Sequence, residues 1–479
     1  MASRESILLI DGVHPRFLLF LAALLAAGCD RRRLDEAITR PRAELGTEAV
    51  KPSADAVSRF DHILEMLWNK DEKVRETATN DLAAFQKDMK EPGPQVGLKA
   101  LRAAARPYPF EKPEPSRVSA ALVAVASSTP LPEYIPAVVE LFDKFSDDAK
   151  WQAQVIITEL ESRDAAEAFM TIVRTHAPTG KLPSLLTAPL EMKPRHPDVL
   201  FPEILKYASN RKLSSEIYRL CLAYCQANLL PPETLAPFTD QVLKSYTDLA
   251  AKLRPAQKDH GIAWMWEEPY EEPRHEAALL LDLLGHFHGN LVEKQLRAAL
   301  EYKDPRLKHF ALISLIRLGK PVDKKDVEDV ASYAEMRNWL YIALKQLASS
   351  SLFPEKFRTQ KSFAEADLVN WLVYPTELNR APDEIELMKV VTVDTGLPDG
   401  VYDYYLFRFR TKEPHWSAKD GWLAGVSGPF LRKDQPTTES LGDTFSTFAK
   451  WDAKTPDDHV GDTRELMQRW REYHSKNKH

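Results

Sequence analysis

Proline sets the outline of this chain. There are 34 prolines against 17 glycines, and prolines recur between apolar segments, among them Pro92, Pro94, Pro107, Pro109, Pro113, Pro115, Pro130, Pro132, Pro136, Pro194, Pro197, Pro202, Pro231 and Pro232. A proline inside a helix removes a backbone donor and clashes with the preceding turn, yet it is accepted in the first turn. Such spacing punctuates many short helices. The segments between the prolines are helix-length and amphipathic, and hairpin signals are nearly absent before residue 385. The expected fold is therefore mainly α, with helix pairs at 199–227, 233–252, 273–301 and 323–348.

Two of these stretches resemble HEAT repeats, in the degenerate form also seen in bilin-lyase-type HEAT-like proteins. The first is the stretch from Asp71 to Phe85. In the second, Leu296 to Gly319, an apolar helix ends at Lys303, Asp304 caps the next, and Pro305 occupies its first position. Leu307, Ala311, Leu315 and Leu318 then share one face, and Gly319 stops the helix. A weaker copy runs from Asp147 to Leu160 and from Ala165 to Val173. The resemblance implies an α-solenoid over about 57–350, because a helix pair with one apolar face must stack on its neighbours to bury it.

The N-terminus carries a different signal. A short apolar run, Phe17 to Gly28, ends at Cys29 and is followed by Asp30, Arg31, Arg32 and Arg33. The run has the length of a secretory h-region and falls short of the roughly 20 residues that span a bilayer. Ala26, Ala27, Gly28 and Cys29 resemble the lipobox of bacterial lipoproteins, with Ala26 where that family usually has leucine. The resemblance implies a signal peptide over 1–28, a diacylglyceryl group on the Cys29 thiol and a lipid-anchored linker over 29–56. It also implies an extracytoplasmic location at the bacterial cell membrane, with Asp30 favouring inner-membrane retention in a Gram-negative cell.

The last part, 351–479, reads as a small α+β module. Phe363 to Tyr374 is helical in pattern, and Ile385–Val393 and Tyr402–Arg410 alternate as strands around the Asp399–Gly400 turn signal. Tyr405, Phe407 and Phe409 face one way, and Tyr404, Leu406, Arg408 and Arg410 the other. A third antiparallel strand is expected at 422–430. The helix 363–374 is one candidate cover for its apolar face. Asp462, Thr463, Arg464 and Glu465 form a capping-box pattern before the stripe Leu466, Met467, Trp470 and Tyr473, a terminal docking helix.

The sequence holds no G-x-S-x-G, Walker A, H-E-x-x-H or G-x-G-x-x-G motif, so no catalytic residue, cofactor or metal is assigned. His275 and His286 return to nearly one helix face but lie about 16 Å apart along the axis, too far to share zinc. Cys221 and Cys225, four apart on a helix, read as buried free thiols, since adjacent turns rarely give disulfide geometry. The net charge of −6 supplies no positive field for nucleic acid.

Two aromatic clusters remain as candidate binding residues. Trp264 and Trp266 sit in a proline- and glutamate-rich connection from Ala263 to Pro273, where a packed helix is not expected, and His415, Trp416 and Trp422 sit on a loop between strands. Aromatic rings offer flat contact area at little entropic cost. The leading expectation is a non-enzymatic, membrane-anchored binding or scaffold lipoprotein whose helical repeats engage a protein partner. The alternatives are an envelope enzyme acting on glycan or peptide, through His415, Lys419 and Asp420 or through Glu267, Glu268, Glu271 and Glu272, and a small-ligand sensor using the tryptophan loops.

Overall fold

The computed structural model describes residues 54–88, 93–258, 261–373, 378, 380–394, 401–411, 421–433, 445–462 and 465. Cys29 and the whole of the expected signal peptide, 1–28, lie outside them, as do His415, Trp416, Lys419 and Asp420 and most of the expected terminal helix. The described chain is mainly helical, with a four-stranded antiparallel sheet near its C-terminus. It divides into two compact units at Phe238 and Thr239.

The first unit contains helices α1 (Ala54–Leu67), α2 (Glu72–Asp88), α3 (Gly93–Ala104), α4 (Pro115–Ser127), α5 (Ile135–Leu141), α6 (Asp147–Glu159), α7 (Arg163–His176), α8 (Ala188–Met192), α9 (Pro197–Leu200), α10 (Ser214–Gln226) and α11 (Pro232–Leu235). Prolines stand in the first turn of α4, α5, α8, α9 and α11, as the punctuation requires. Serine caps start α6 and α7: Ser146 accepts from the Ala149 amide and Ser162 from that of Ala165. The pairs α1–α2, α3–α4, α5–α6 and α6–α7 touch, and α1, α3, α5 and α7 also touch in series, as do α2, α4, α6 and α8. Two layers result, with Phe60, Phe85, Phe142 and Phe169 buried among their helices. Cys221 and Cys225 are buried free thiols on α10, as the sequence led us to expect.

The second unit opens with α12 (Thr239–Ala256), α13 (Glu268–Leu284), α14 (Asn290–Ala299), α15 (Pro305–Arg317), α16 (Lys324–Ser332), α17 (Ala334–Gln346) and α18 (Gln360–Val373). Here α13, α15, α17 and α18 form one row of touching helices. The Asp304 cap accepts from the Arg306 amide at 2.9 Å, and Gly319 ends the next turn at φ +69°. One expectation is corrected. The segment before Pro273 is not an open connection, because α13 begins at Glu268 and runs straight through Pro273. Pro269 fits the first turn without loss, and the partner that Pro273 cannot bond is the Pro269 carbonyl at the frayed end. Burial of Tyr270, Arg274, Ala277, Ala278 and Leu281 outweighs that one missing bond.

The sheet is a meander, β1 (Glu384–Asp394), β2 (Val401–Arg410), β3 (Leu423–Leu431) and β4 (Phe445–Lys450), in that spatial order. The expected three strands are thus four, and both faces are covered. Tyr405, Phe407, Phe409 and Phe430 pack on Ala364, Leu368 and Leu372 of α18. Tyr404, Leu406, Ala424 and Val426 pack with Trp451 and Val460 on the other side. Among the described residues, no helix is long and apolar enough to cross a membrane.

Candidate functional site

The expected aromatic site at Trp264 and Trp266 proves to be the lid of a buried ionic ladder. A 3₁₀ turn, Ala263–Trp266, delivers both rings to the start of α13. Trp264 is almost fully buried, donates to the Gly261 carbonyl at 3.1 Å and meets Tyr270 edge-on at 4.8 Å. Trp266 lies over two guanidinium groups, Arg274 at 4.7 Å and Arg306 at 5.8 Å from its ring centre. A desolvated cation–π contact of this kind contributes on the order of 2 kcal/mol.

Beneath that ring, Arg274, Arg306 and Arg337 of the α13, α15, α17 row each pair with an acid that caps or lies on the next helix in the row, whereas Arg317 of α15 pairs back to Asp282 of α13 at 2.8 Å. Arg274 Nε donates to Asp304 at 2.6 Å and its Nη2 to the other carboxylate oxygen at 3.2 Å. Arg306 donates to Glu335 at 2.7 Å, and Arg337 to Glu365 at 3.1 Å. The partners are 30, 29 and 28 residues apart in sequence. Glu335 also lies 3.6 Å from Arg274, which joins the first two rungs. The side chains of Arg274 and Asp304 are wholly buried.

The surroundings fix the charge states. Burial works against the Arg274 cation, but Asp304 and Glu335 outweigh it and keep the group charged. Burial, aided by the Asp304 charge, pushes the Tyr270 hydroxyl up, so it stays protonated and donates to Asp304 at 3.1 Å. Burial, with the Arg306 and Arg274 charges, holds His275 well below the usual imidazole range, hence neutral. Arg274 and Arg306 are matched by Asp304 and Glu335, so the inner ladder is electrically closed. Such a network orders helices; acid–base chemistry instead needs two groups whose proton affinities are driven apart in a cleft.

The other expected residues fall as follows. Of the glutamate cluster, Glu267 is paired with Lys258 at 2.7 Å, and burial raises Glu271. Trp422 lies at the start of the third strand, over Arg408 at 4.3 Å and Arg410 at 4.6 Å. Those arginines are paired with Glu386 and Glu384 across the β1–β2 ladder. Both described tryptophan clusters thus sit on paired arginines. Among the described residues, no three metal-ligating side chains gather.

The ladder was missed in the sequence, although it has a signal there. An acid, one residue, then arginine recurs at Glu272–Arg274, Asp304–Arg306 and Glu335–Arg337. A repeat of about thirty residues in charge, with different apolar residues around it, is invisible to a search for hydrophobic period. Comparison with family models, curated proteins and solved structures returns no match for this chain.

Proposed function

We propose that the chain is a lipid-anchored, non-enzymatic scaffold of the bacterial cell envelope, whose HEAT-like repeats stack as an α-solenoid and offer their surface to a protein partner. The ladder is the observation that carries this reading. Pairing that recurs at 28 to 30 residues between successive helices of one row is what repeated units produce, since each touches only its neighbours. The two-layer packing from α1 to α8 supports the same reading in the first unit. The anchor is Cys29, whose acyl chains would bury about 0.8 kcal/mol per methylene, with Arg31, Arg32 and Arg33 at the headgroups and Asp30 favouring the inner membrane. The C-terminal α+β module, 351–479, is accessory to the repeats.

Two experiments test the proposal. Radiolabelled palmitate fed to cells expressing the full chain is expected to label it, with the label and membrane attachment both lost in Cys29→Ala. Affinity purification of the full chain from detergent-solubilised native membranes is expected to retain a stoichiometric protein partner. Soluble, unlabelled wild-type chain would refute the anchor, and purification without a partner at any detergent or salt condition would refute the scaffold.

A further inference from the structure

The first unit carries a cavity that the scaffold reading leaves unused. It is an open surface pocket of about 580 Å³ lined by Arg102, Ala105, Arg106, Pro107, Leu141 and Lys144, of which the three cations and Pro107 are exposed and Leu141 is buried. That is the size of a small-molecule site and far larger than a lone anion needs. Three of the six lining residues are cations and none is an acid.

This charge is concentrated at some cost. Arg102 is in the last turn of α3, and the turn continues past it through the Ala105 and Arg106 amides, which bond to the Leu101 and Ala103 carbonyls. Arg102 and Arg106 are therefore helical neighbours four apart, a spacing at which like charges repel. Lys99, one turn earlier on α3, is neutralised by Asp61 at 2.6 Å. Among the described residues, no carboxylate plays that part for Arg102, Arg106 or Lys144. Of the acids near Lys144 in sequence, Asp147 pairs with Lys150 at 3.1 Å, and two others turn away from it. Glu140 and Asp143 line a separate cavity, where Asp143 pairs with Lys181 at 2.8 Å and approaches His176 at 3.9 Å.

One of the cations is also held in place. The Arg106 guanidinium lies over Trp68 at 4.7 Å, and Trp68 is set by an edge-on contact with Tyr108 at 5.5 Å. A stacked guanidinium keeps its in-plane donors free for a tetrahedral oxyanion, which arginine grips in bidentate fashion. Ala105, Pro107 and Leu141 supply an apolar floor for the rest of a ligand.

We infer that this cavity binds a phosphate ester, its phosphate held by Arg102, Arg106 and Lys144 and its organic body resting on Ala105, Pro107 and Leu141. The ester is a free organophosphate or the headgroup of an anionic phospholipid, and the two sources share this chemistry.

The test uses the full chain carrying Cys29→Ala, so that no acyl group brings it to lipid. Glycerol 3-phosphate is titrated calorimetrically, and flotation is measured on phosphatidylcholine vesicles with and without phosphatidylglycerol. Saturable one-to-one binding to either probe is expected, weakened about tenfold or more by Arg102→Gln and by Arg106→Gln, with unchanged circular dichroism. Calorimetric binding without flotation assigns a free organophosphate, and flotation that needs phosphatidylglycerol and the two arginines assigns a lipid headgroup. Neither probe binding, or binding that both substitutions leave intact, would overturn the inference.

Discussion

Asp304 joins α13 to the start of α15, and Asp304→Asn measures how much that junction contributes. The carboxylate caps α15 through the Arg306 amide, pairs twice with Arg274 and accepts from Tyr270. Asparagine keeps the cap, because its side-chain carbonyl is an equally good N-cap acceptor. It removes the charge, leaving a fully buried Arg274 with Glu335 at 3.6 Å as its remaining counter-charge. Breaking a buried pair by removing one partner costs about 3–5 kcal/mol, well above the 0–1 kcal/mol of a surface pair. Asp304→Ala should cost about 1 kcal/mol more, the worth of the cap. Urea unfolding followed by tryptophan fluorescence and circular dichroism reads the loss, with the transition of the second unit moving to lower urea. Adding Arg274→Met to Asp304→Asn should recover about 2 kcal/mol or more, since the stranded cation is then gone. A loss under about 1 kcal/mol for Asp304→Asn, or strict additivity in the cycle, would refute the ladder as a buried, coupled network.

The pH dependence of stability has two opposing parts. Burial raises the Asp367 carboxyl to about 7, with Asn338 as its hydrogen-bond donor at 2.5 Å. Its folded proton affinity exceeds the unfolded one, so its contribution is fully present below about pH 4 and is lost as pH rises through 7. Asp367→Asn should therefore stabilise the protein at pH 8, by up to about 4 kcal/mol, and change little near pH 4; no gain in thermal midpoint at pH 8 would contradict the burial of that carboxyl. Burial lowers His286 and His309 to about 4, so each favours the folded state above the unfolded value near 6.5 and loses that contribution as pH falls toward 4. In the Asp367→Asn background, stability should fall between pH 6.5 and 4 by at most about 3 kcal/mol per histidine, and His309→Gln should flatten that slope. An unaltered slope would show that His309 is charged when folded.

What could be read from the sequence followed local rules, and what could not depended on distant partners. The Asp304, Pro305 and Gly319 signals are properties of one helix, and α15 begins and ends where they place it. The alternation in Tyr402–Arg410 named both faces of β2, since period two needs no knowledge of the partner strand. β4 was missed because Phe445–Lys450 is six residues long and is held by pairing to β3, not by its own pattern. Trp264 and Trp266 were legible as a cluster but not as a lid, because the arginines beneath Trp266 come from α13 and α15, the second of them 40 residues downstream. Arg102, Arg106 and Lys144 were not singled out at all; what distinguishes them is that, among the described residues, no carboxylate pairs with them, a property of the fold.

The ladder and the sheet answer the same physical problem. A row of stacked helices always ends in a helix with one face unpaired, and that face must be closed. In the second unit the end helix is α18, and it is buried on two sides. Toward α17 it offers Glu365 to Arg337 and Asp367 to Asn338, and Phe363 joins the core of Leu340, Leu344 and Phe353. Toward the sheet it presents Ala364, Leu368 and Leu372, and Gln360 stitches the join by donating to the Leu431 carbonyl and accepting from the Tyr405 hydroxyl. No arginine on α18 continues the ladder, and none is needed, because a continuous apolar strand face replaces the next helix. Gly425 shows how close that face comes: a Cβ there would meet the Leu368 methyl groups at 2.9 and 3.0 Å. The ionic register that orders the helices therefore stops where the sheet begins, and the sheet closes that end of the row.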